Sequence, residues 1–147
     1  MTTMVLNNKE FEILDDYLRS VGQFLTLPRI IILDTFLKVD GHVSVKDLCK
    51  EVKKKDSQIS PATVYRTMKL LVESGIASEN EFADDRKLFE KTLGKEHHDH
   101  MFCTHCKKVS EFHNESIEKL QEEVAQEHLF EITHHRMTLF GLGGECH

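Results

Sequence analysis

No run of apolar residues in this 147-residue chain approaches the roughly 18–20 needed to span a bilayer, so a membrane-embedded fold is not expected. The opening "MTTMVLNNKEFEILDD" lacks a basic region followed by an apolar core, so it is not expected to be a secretory signal. There is no internal repeat and no low-complexity tract. Cysteine is sparse: in the reducing cytoplasm expected here, four residues suggest metal binding or redox chemistry more than a disulfide framework. A surplus of positive charge is also missing. The net charge of −6, taken whole, argues against a nucleic-acid partner.

The distribution of charge says otherwise. Residues 1–91 carry 14 Lys/Arg against 15 Asp/Glu, whereas residues 92–147 carry 5 against 10. Within the first part, Ser44–Val72 holds seven basic and three acidic residues, a local patch compatible with a DNA-binding face. Nine of the ten histidines lie from His97 onward. The two parts differ in chemistry, and a boundary is expected near residue 92. The fold class is α+β, with domains over residues 1–91 and 92–147.

In the first part, Phe11, Leu14, Leu18 and Val21 recur at helical spacing, which predicts an amphipathic helix over 9–21. Pro28 suits the first turn of a second helix through "RIIILDTFLKV". Ser44 caps a third, with Val45, Leu48 and Val52 inward. The fourth is "SPATVYRTMKLLVESG", with Ser60 as N-cap, Pro61 at the first helical position and Gly75 as the stop. Val64, Met68 and Leu71 form its buried stripe, leaving Ala62, Tyr65, Arg66 and Lys69 on the other side. A methyl, an aromatic ring, a guanidinium and an ammonium are groups that read base edges and phosphates; a solvated surface is the plainer alternative. "IASENEF", a turn at Ala83-Asp84-Asp85-Arg86 and "KLFE" then predict a hairpin. Short helices ending in such a hairpin make a winged helix, whose penultimate helix enters the major groove.

The second part should hold strands over 98–104 and 108–112 around a Cys-x-x-Cys turn. A helix from Asn114 to about 127 follows, with Ile117, Leu120 and Val124 inward, and "EITHHRMTLFGL" as a strand. A domain of this size is marginal alone, so metal or dimerisation should complete its core. Its opening "HHDHMFCTHC" mixes imidazole, carboxylate and thiol ligands. In a strand, alternate side chains share a face, which pairs His97 with Asp99 and His98 with His100. Imidazole with carboxylate suits Fe²⁺, Mn²⁺ and Zn²⁺. Cys103-x-x-Cys106 has the spacing of half a zinc site, a spacing shared by redox motifs. Those motifs open a helix, whereas "CTHCKKVSEF" reads as a knuckle between strands. The deaminase pattern is absent, since Met101-Phe102 precedes Cys103. A thiol oxidoreductase using Cys103 and Cys106 is the remaining enzymatic alternative.

Together, "SPATVYRTMKLLVESGI", "HHDHMFCTHCKKVSEF" and "LTLPR" resemble the ferric uptake regulator (Fur) family over roughly residues 15–146. The resemblance implies a non-enzymatic, metal-dependent repressor of iron-uptake genes. It implies an N-terminal winged-helix DNA-binding domain and a C-terminal α/β dimerisation domain. It implies a regulatory site of His42, Glu90, His98, His100 and Glu111, with His42 from the DNA-binding half. A second site would comprise His97, Asp99, Glu118 and His135. A structural zinc would use Cys103, Cys106 and Cys146, with His147, His105 or water as fourth ligand. Many family members end in a second Cys-x-x-Cys, but here Gly143 takes the place of one cysteine. Fe(II) is the implied corepressor, with Mn(II) or Zn(II) able to substitute in vitro.

The implied partners are an AT-rich inverted-repeat DNA operator and a second copy of the chain, with neither membrane nor protein substrate. DNA contacts fall to Arg29, Ala62, Thr63, Tyr65, Arg66 and Lys69. Where relatives often carry a lysine in the arm that reaches the minor groove, this chain has Phe24 and Leu25. Peroxide-sensing and zinc-sensing regulators of the same family are the alternatives. The former favour aspartates where Glu90 and Glu111 stand.

Overall fold

The computed structural model describes residues 9–82, 86–94 and 96–147. The elements run α1 (Lys9–Ser20), α2 (Leu27–Leu37), β1 (His42–Val43), α3 (Val45–Lys55), α4 (Pro61–Glu73), β2 (Ala77–Phe82), β3 (Arg86–Lys91), β4 (Asp99–Cys103), β5 (Val109–Phe112), α5 (Glu115–Glu127) and β6 (Thr138–Gly141). The chain divides after residue 95 into two compact units.

In the first unit, α1 buries Phe11, Leu14 and Leu18. Val21, expected on the same stripe, is 46% exposed, because α1 ends at Ser20 and Gly22 turns the chain away at φ +76°. Pro28 opens α2, which buries Ile32, Leu33 and Phe36. The Ser44 hydroxyl accepts from the Asp47 amide at 3.1 Å and caps α3. Ser60 does the same for α4, accepting from the Thr63 amide at 3.2 Å. Val64, Met68 and Leu71 of α4 meet Leu48 and Val52 of α3 and the buried stripes of α1 and α2 in one core. Val45 is partly buried against the same core.

Gly75, at φ +85°, turns α4 into a three-stranded antiparallel sheet of order β1-β3-β2. β2 and β3 are the expected hairpin; the expected turn at residues 83–85 lies outside the described residues. The two-residue strand β1 is not legible in the sequence, being too short for any alternation. It pairs with β3 so that His42 stands opposite Glu90.

The second unit places β4 between antiparallel β5 and parallel β6. A parallel neighbour requires a long crossover, supplied by α5 and residues 128–137. The Asn114 side chain accepts from the Ser116 and Ile117 amides and caps α5. Two expectations fail here. Leu120 and Val124 are 59% and 55% exposed, because three short strands offer α5 too little apolar surface to cover them. The strand expected over 131–142 is confined to Thr138–Gly141. Before it, α5 ends at Glu127, Leu129 takes φ +52° in the turn that follows, and the chain runs irregularly up to Met137.

The caps carry one stability prediction. Ser60→Ala leaves the Thr63 amide without its side-chain acceptor and should lower stability by about 1 kcal/mol in urea titration, with an unchanged m-value.

Candidate metal centres and nucleic-acid interface

Four residues of the second unit converge on one point. The His97 and His135 Nε2 atoms lie 2.9 Å apart. His97 Nε2 is 3.4 Å from Asp99 Oδ1 and 3.5 Å from Glu118 Oε1. His135 Nε2 is 3.7 and 3.3 Å from the same two oxygens. Tetrahedral coordination at metal–ligand distances of about 2.0–2.2 Å separates ligand atoms by about 3.3–3.6 Å. The cluster already has that size.

Its electrostatics point the same way. Asp99 is buried, and neither of its oxygens has a hydrogen-bond partner, nor does Glu118 Oε1. The imidazole nitrogens lie within ion-pairing distance of these oxygens without meeting hydrogen-bond geometry. Imidazole binds metal in its neutral form, so two carboxylate ligands would match the charge of a divalent cation. The residues fit such an ion.

β4 starts at Asp99, so His97 and His98 precede the strand rather than lying in it. Their side chains nevertheless diverge. His98 Nε2 is 3.4 Å from Glu111 Oε1, and its ring lies 5.0 Å from that of His100. His98 Nδ1 donates to the Glu96 carbonyl at 3.1 Å, which leaves Nε2 as the ligand-type nitrogen facing Glu111. His100 stands opposite Glu111 in the β4–β5 register.

The first unit holds a matching pair of donors. His42 Nε2 lies 3.1 Å from Glu90 Oε2, with both side chains largely buried. The other Glu90 oxygen accepts from Asn80 Nδ2 at 3.1 Å and more weakly from the Ser78 hydroxyl at 3.5 Å. Asn80 and Ser78 were not singled out from sequence. The available signal was period-two alternation, since Ser78 faces Glu90 across the β2–β3 pair and Asn80 lies two residues on.

A third cluster is made of thiols. One ligand atom each from Cys103, Cys106 and Cys146 lies within 4.8 Å of the others. Cys103 and Cys106 flank a turn between β4 and β5, not the start of a helix. The Cys103 sulfur accepts from the Gly143 amide at 3.4 Å and the Cys106 amide at 3.5 Å. These amides lower the Cys103 pKa to about 6, while Cys146, donating to Cys103 and Cys106, is pushed up to about 11. Of the two histidines considered as fourth ligand, His147 donates Nδ1–H to the Gly143 carbonyl at 2.8 Å; neither belongs to the mutually close group, which consists of three sulfurs. Cys49 belongs to the first unit, packed against its core, and burial raises its pKa.

On α4, Ala62, Tyr65, Arg66 and Lys69 are all exposed. The Lys69 ammonium lies over the Tyr65 ring at 5.1 Å, and Arg66 donates to the Thr63 hydroxyl at 3.4 Å. Arg29 instead clasps the preceding loop, donating to the Phe24 carbonyl and to Gln23 Oε1, both at 2.7 Å. Phe24 is 76% exposed.

A winged-helix unit joined to a small unit of clustered imidazoles, carboxylates and thiols defines the class: a DNA-binding regulator that answers to metal ions. The chain belongs to the ferric uptake regulator family, whose model matches residues 20–140. It is 37% identical to the ferric uptake regulation protein of Campylobacter jejuni, over 97% of this chain and 94% of that protein. The solved Helicobacter pylori ferric uptake regulator, described as having three functional metal binding sites, superposes with a TM-score of 0.83 at 27% identity, covering 95% and 94% of the two chains. The Francisella tularensis ferric uptake regulator, solved with iron, gives 0.76 at 30% identity over 85% and 95%. This is a family of transcriptional regulators, not enzymes, which removes the thiol oxidoreductase alternative. Among the described residues, no helix is long and apolar enough to cross a membrane.

The thiol cluster yields a prediction with a defined sign. At pH 7 Cys146, near 11, holds its proton, which must leave if the three thiols are to hold zinc. Zinc affinity should therefore rise with pH between 6 and 9, with proton release measurable by calorimetry in buffers of different ionisation enthalpy. Cys146→Ser should lower both zinc content and melting temperature, and Cys49→Ser neither.

Proposed function

We propose that this protein is an Fe(II)-dependent repressor of iron-uptake genes, acting in the cytoplasm as a homodimer on an AT-rich inverted-repeat operator. The observation that carries it is the set of imidazole–carboxylate pairs: His42 with Glu90 in the first unit, and His98 with His100 and Glu111 in the second. Together these are the ligands of one regulatory ion, which ties the DNA-binding unit to the metal-binding unit. Nitrogen and carboxylate donors without thiolate suit Fe²⁺, for which Mn²⁺ or Zn²⁺ substitutes in vitro. The glutamates at 90 and 111 favour iron sensing over peroxide sensing. His97, Asp99, Glu118 and His135 form the second site, and the three thiols a structural zinc site.

The metal acts by population shift. It favours one orientation of the two units only to the extent that it binds that orientation better. A dimer then offers two α4 helices to successive major grooves. The surface supports the second copy: Ile117, Leu120, Val124, Phe130 and Ile132 line an apolar groove of about 680 Å³ in a unit with almost no core of its own.

DNA binding by α4 is tested by Tyr65→Ala and Arg66→Ala. Each should weaken operator binding by about 1–3 kcal/mol if it reads a base. If Arg66 meets a phosphate, its loss should instead flatten the salt dependence by about one unit of slope. Unchanged affinity and slope in both would remove α4 from the interface.

The two histidine sites are tested by following DNA affinity against anaerobic Fe²⁺ or Mn²⁺. His98→Ala should shift the metal midpoint to higher concentration. His97→Ala should reduce dimer stability and leave the midpoint of the surviving dimer in place. Equal shifts in both would mean that the histidines form a single site.

A further inference from the structure

Gln121 lies on α5 one turn after Glu118, so the two side chains share a helix face. Both line a cleft with His135 and Ile132. Although Gln121 is only partly buried as a residue, its Oε1 is sealed from solvent and has no hydrogen-bond partner. A buried amide oxygen left without a donor costs free energy, and a leucine of similar shape would avoid that cost. Gln121 also sits in the apolar groove beside Leu120 and Val124, where a hydrocarbon side chain would be at home. Packing therefore does not account for an amide here.

The second site, whose Glu118 and His135 line the same cleft as Gln121, suggests what does. Asp99 Oδ1 and Oδ2 and Glu118 Oε1 are likewise buried acceptors without hydrogen-bond donors. Buried oxygens without donors are what a cation needs, and Gln121 adds one to the cleft that Glu118 and His135 line. Resting on the second-site reading above, we infer that Gln121 supplies a neutral amide oxygen as a fifth donor to the ion held by His97, Asp99, Glu118 and His135. The added oxygen makes the site prefer ions that accept more than four ligands, Fe²⁺ and Mn²⁺, and lessens the advantage of tetrahedral Zn²⁺. Gln121 is thus a specificity-determining residue for the second site.

The test uses the full chain, freed of metal, and competition against a chelator with Mn²⁺ and Zn²⁺ as separate probes. The second site is identified as the equivalent lost in His135→Ala. Gln121→Leu should lower Mn²⁺ affinity at that equivalent by about tenfold while changing Zn²⁺ affinity much less. Without metal, its melting temperature should equal or exceed that of the unsubstituted chain, while the rise caused by Mn²⁺ should shrink. Gln121→Glu, which keeps an oxygen donor, should retain Mn²⁺ binding. Three outcomes would overturn the inference: unchanged affinity for both ions in Gln121→Leu; a lower metal-free melting temperature with equal loss of both ions, the signature of packing; or loss of Mn²⁺ in Gln121→Glu as complete as in Gln121→Leu. If His135→Ala loses no equivalent at all, the second-site reading itself fails, and this inference falls with it.

Discussion

A buried carboxylate without hydrogen-bond donors is the constraint on which the second unit depends. Asp99 opens the central strand of its sheet with a side chain fully removed from water and with no hydrogen bond to either oxygen. An ionised carboxylate in that position carries a penalty of at least a few kcal/mol unless something compensates for the lost hydration. His97 and His135 lie close enough to share a cation with it. Such an ion would join β4, α5 and the irregular segment before β6 at one point. Binding energy there is folding energy, since none of these elements is otherwise held by a large core.

The two units divide their sources of stability accordingly. All of the large apolar core belongs to the first unit, where four capped or stopped helices and a three-stranded sheet meet. Among the described residues of the second unit, the buried apolar side chains are Phe102, Cys103 and Ala125. Leu120, Val124 and Phe130 remain in water within the single chain. The exposed face of α4 thus rests on a large apolar core, whereas the second unit has little core of its own.

Donor type and backbone geometry separate the candidate ligands within the ten residues from His97 to Cys106. His97 and Asp99 turn toward Glu118 and His135, and His98 and His100 toward Glu111. Thiols follow only at the turn, where backbone amides directed at the Cys103 sulfur favour its thiolate. Asn80 shows how finely the other half is set. By holding one Glu90 oxygen, it leaves the second facing His42.

Much of the first unit was legible in the sequence because its signals are local. Ser44 and Ser60 cap helices by bonding amides three residues on, and the stripes of Leu14 and Leu18 or Val64 and Met68 follow from helical period alone. The pairing of His97 with Asp99 and of His98 with His100 was also visible as an alternation, although His97 and His98 precede β4 and are not placed by its pleat. What depends on distant contacts was not. β1 exists only because β3 lies beside it, and that pairing alone brings His42 to Glu90. Leu120 and Val124 have helical period but no partner surface in one chain, so periodicity assigned them to a core that three short strands are too small to provide. The orphaned oxygens of Asp99, Glu118 and Gln121 are a property of three-dimensional enclosure. Sequence names the ligand types; only the folded chain decides which are sealed from water and left without hydrogen.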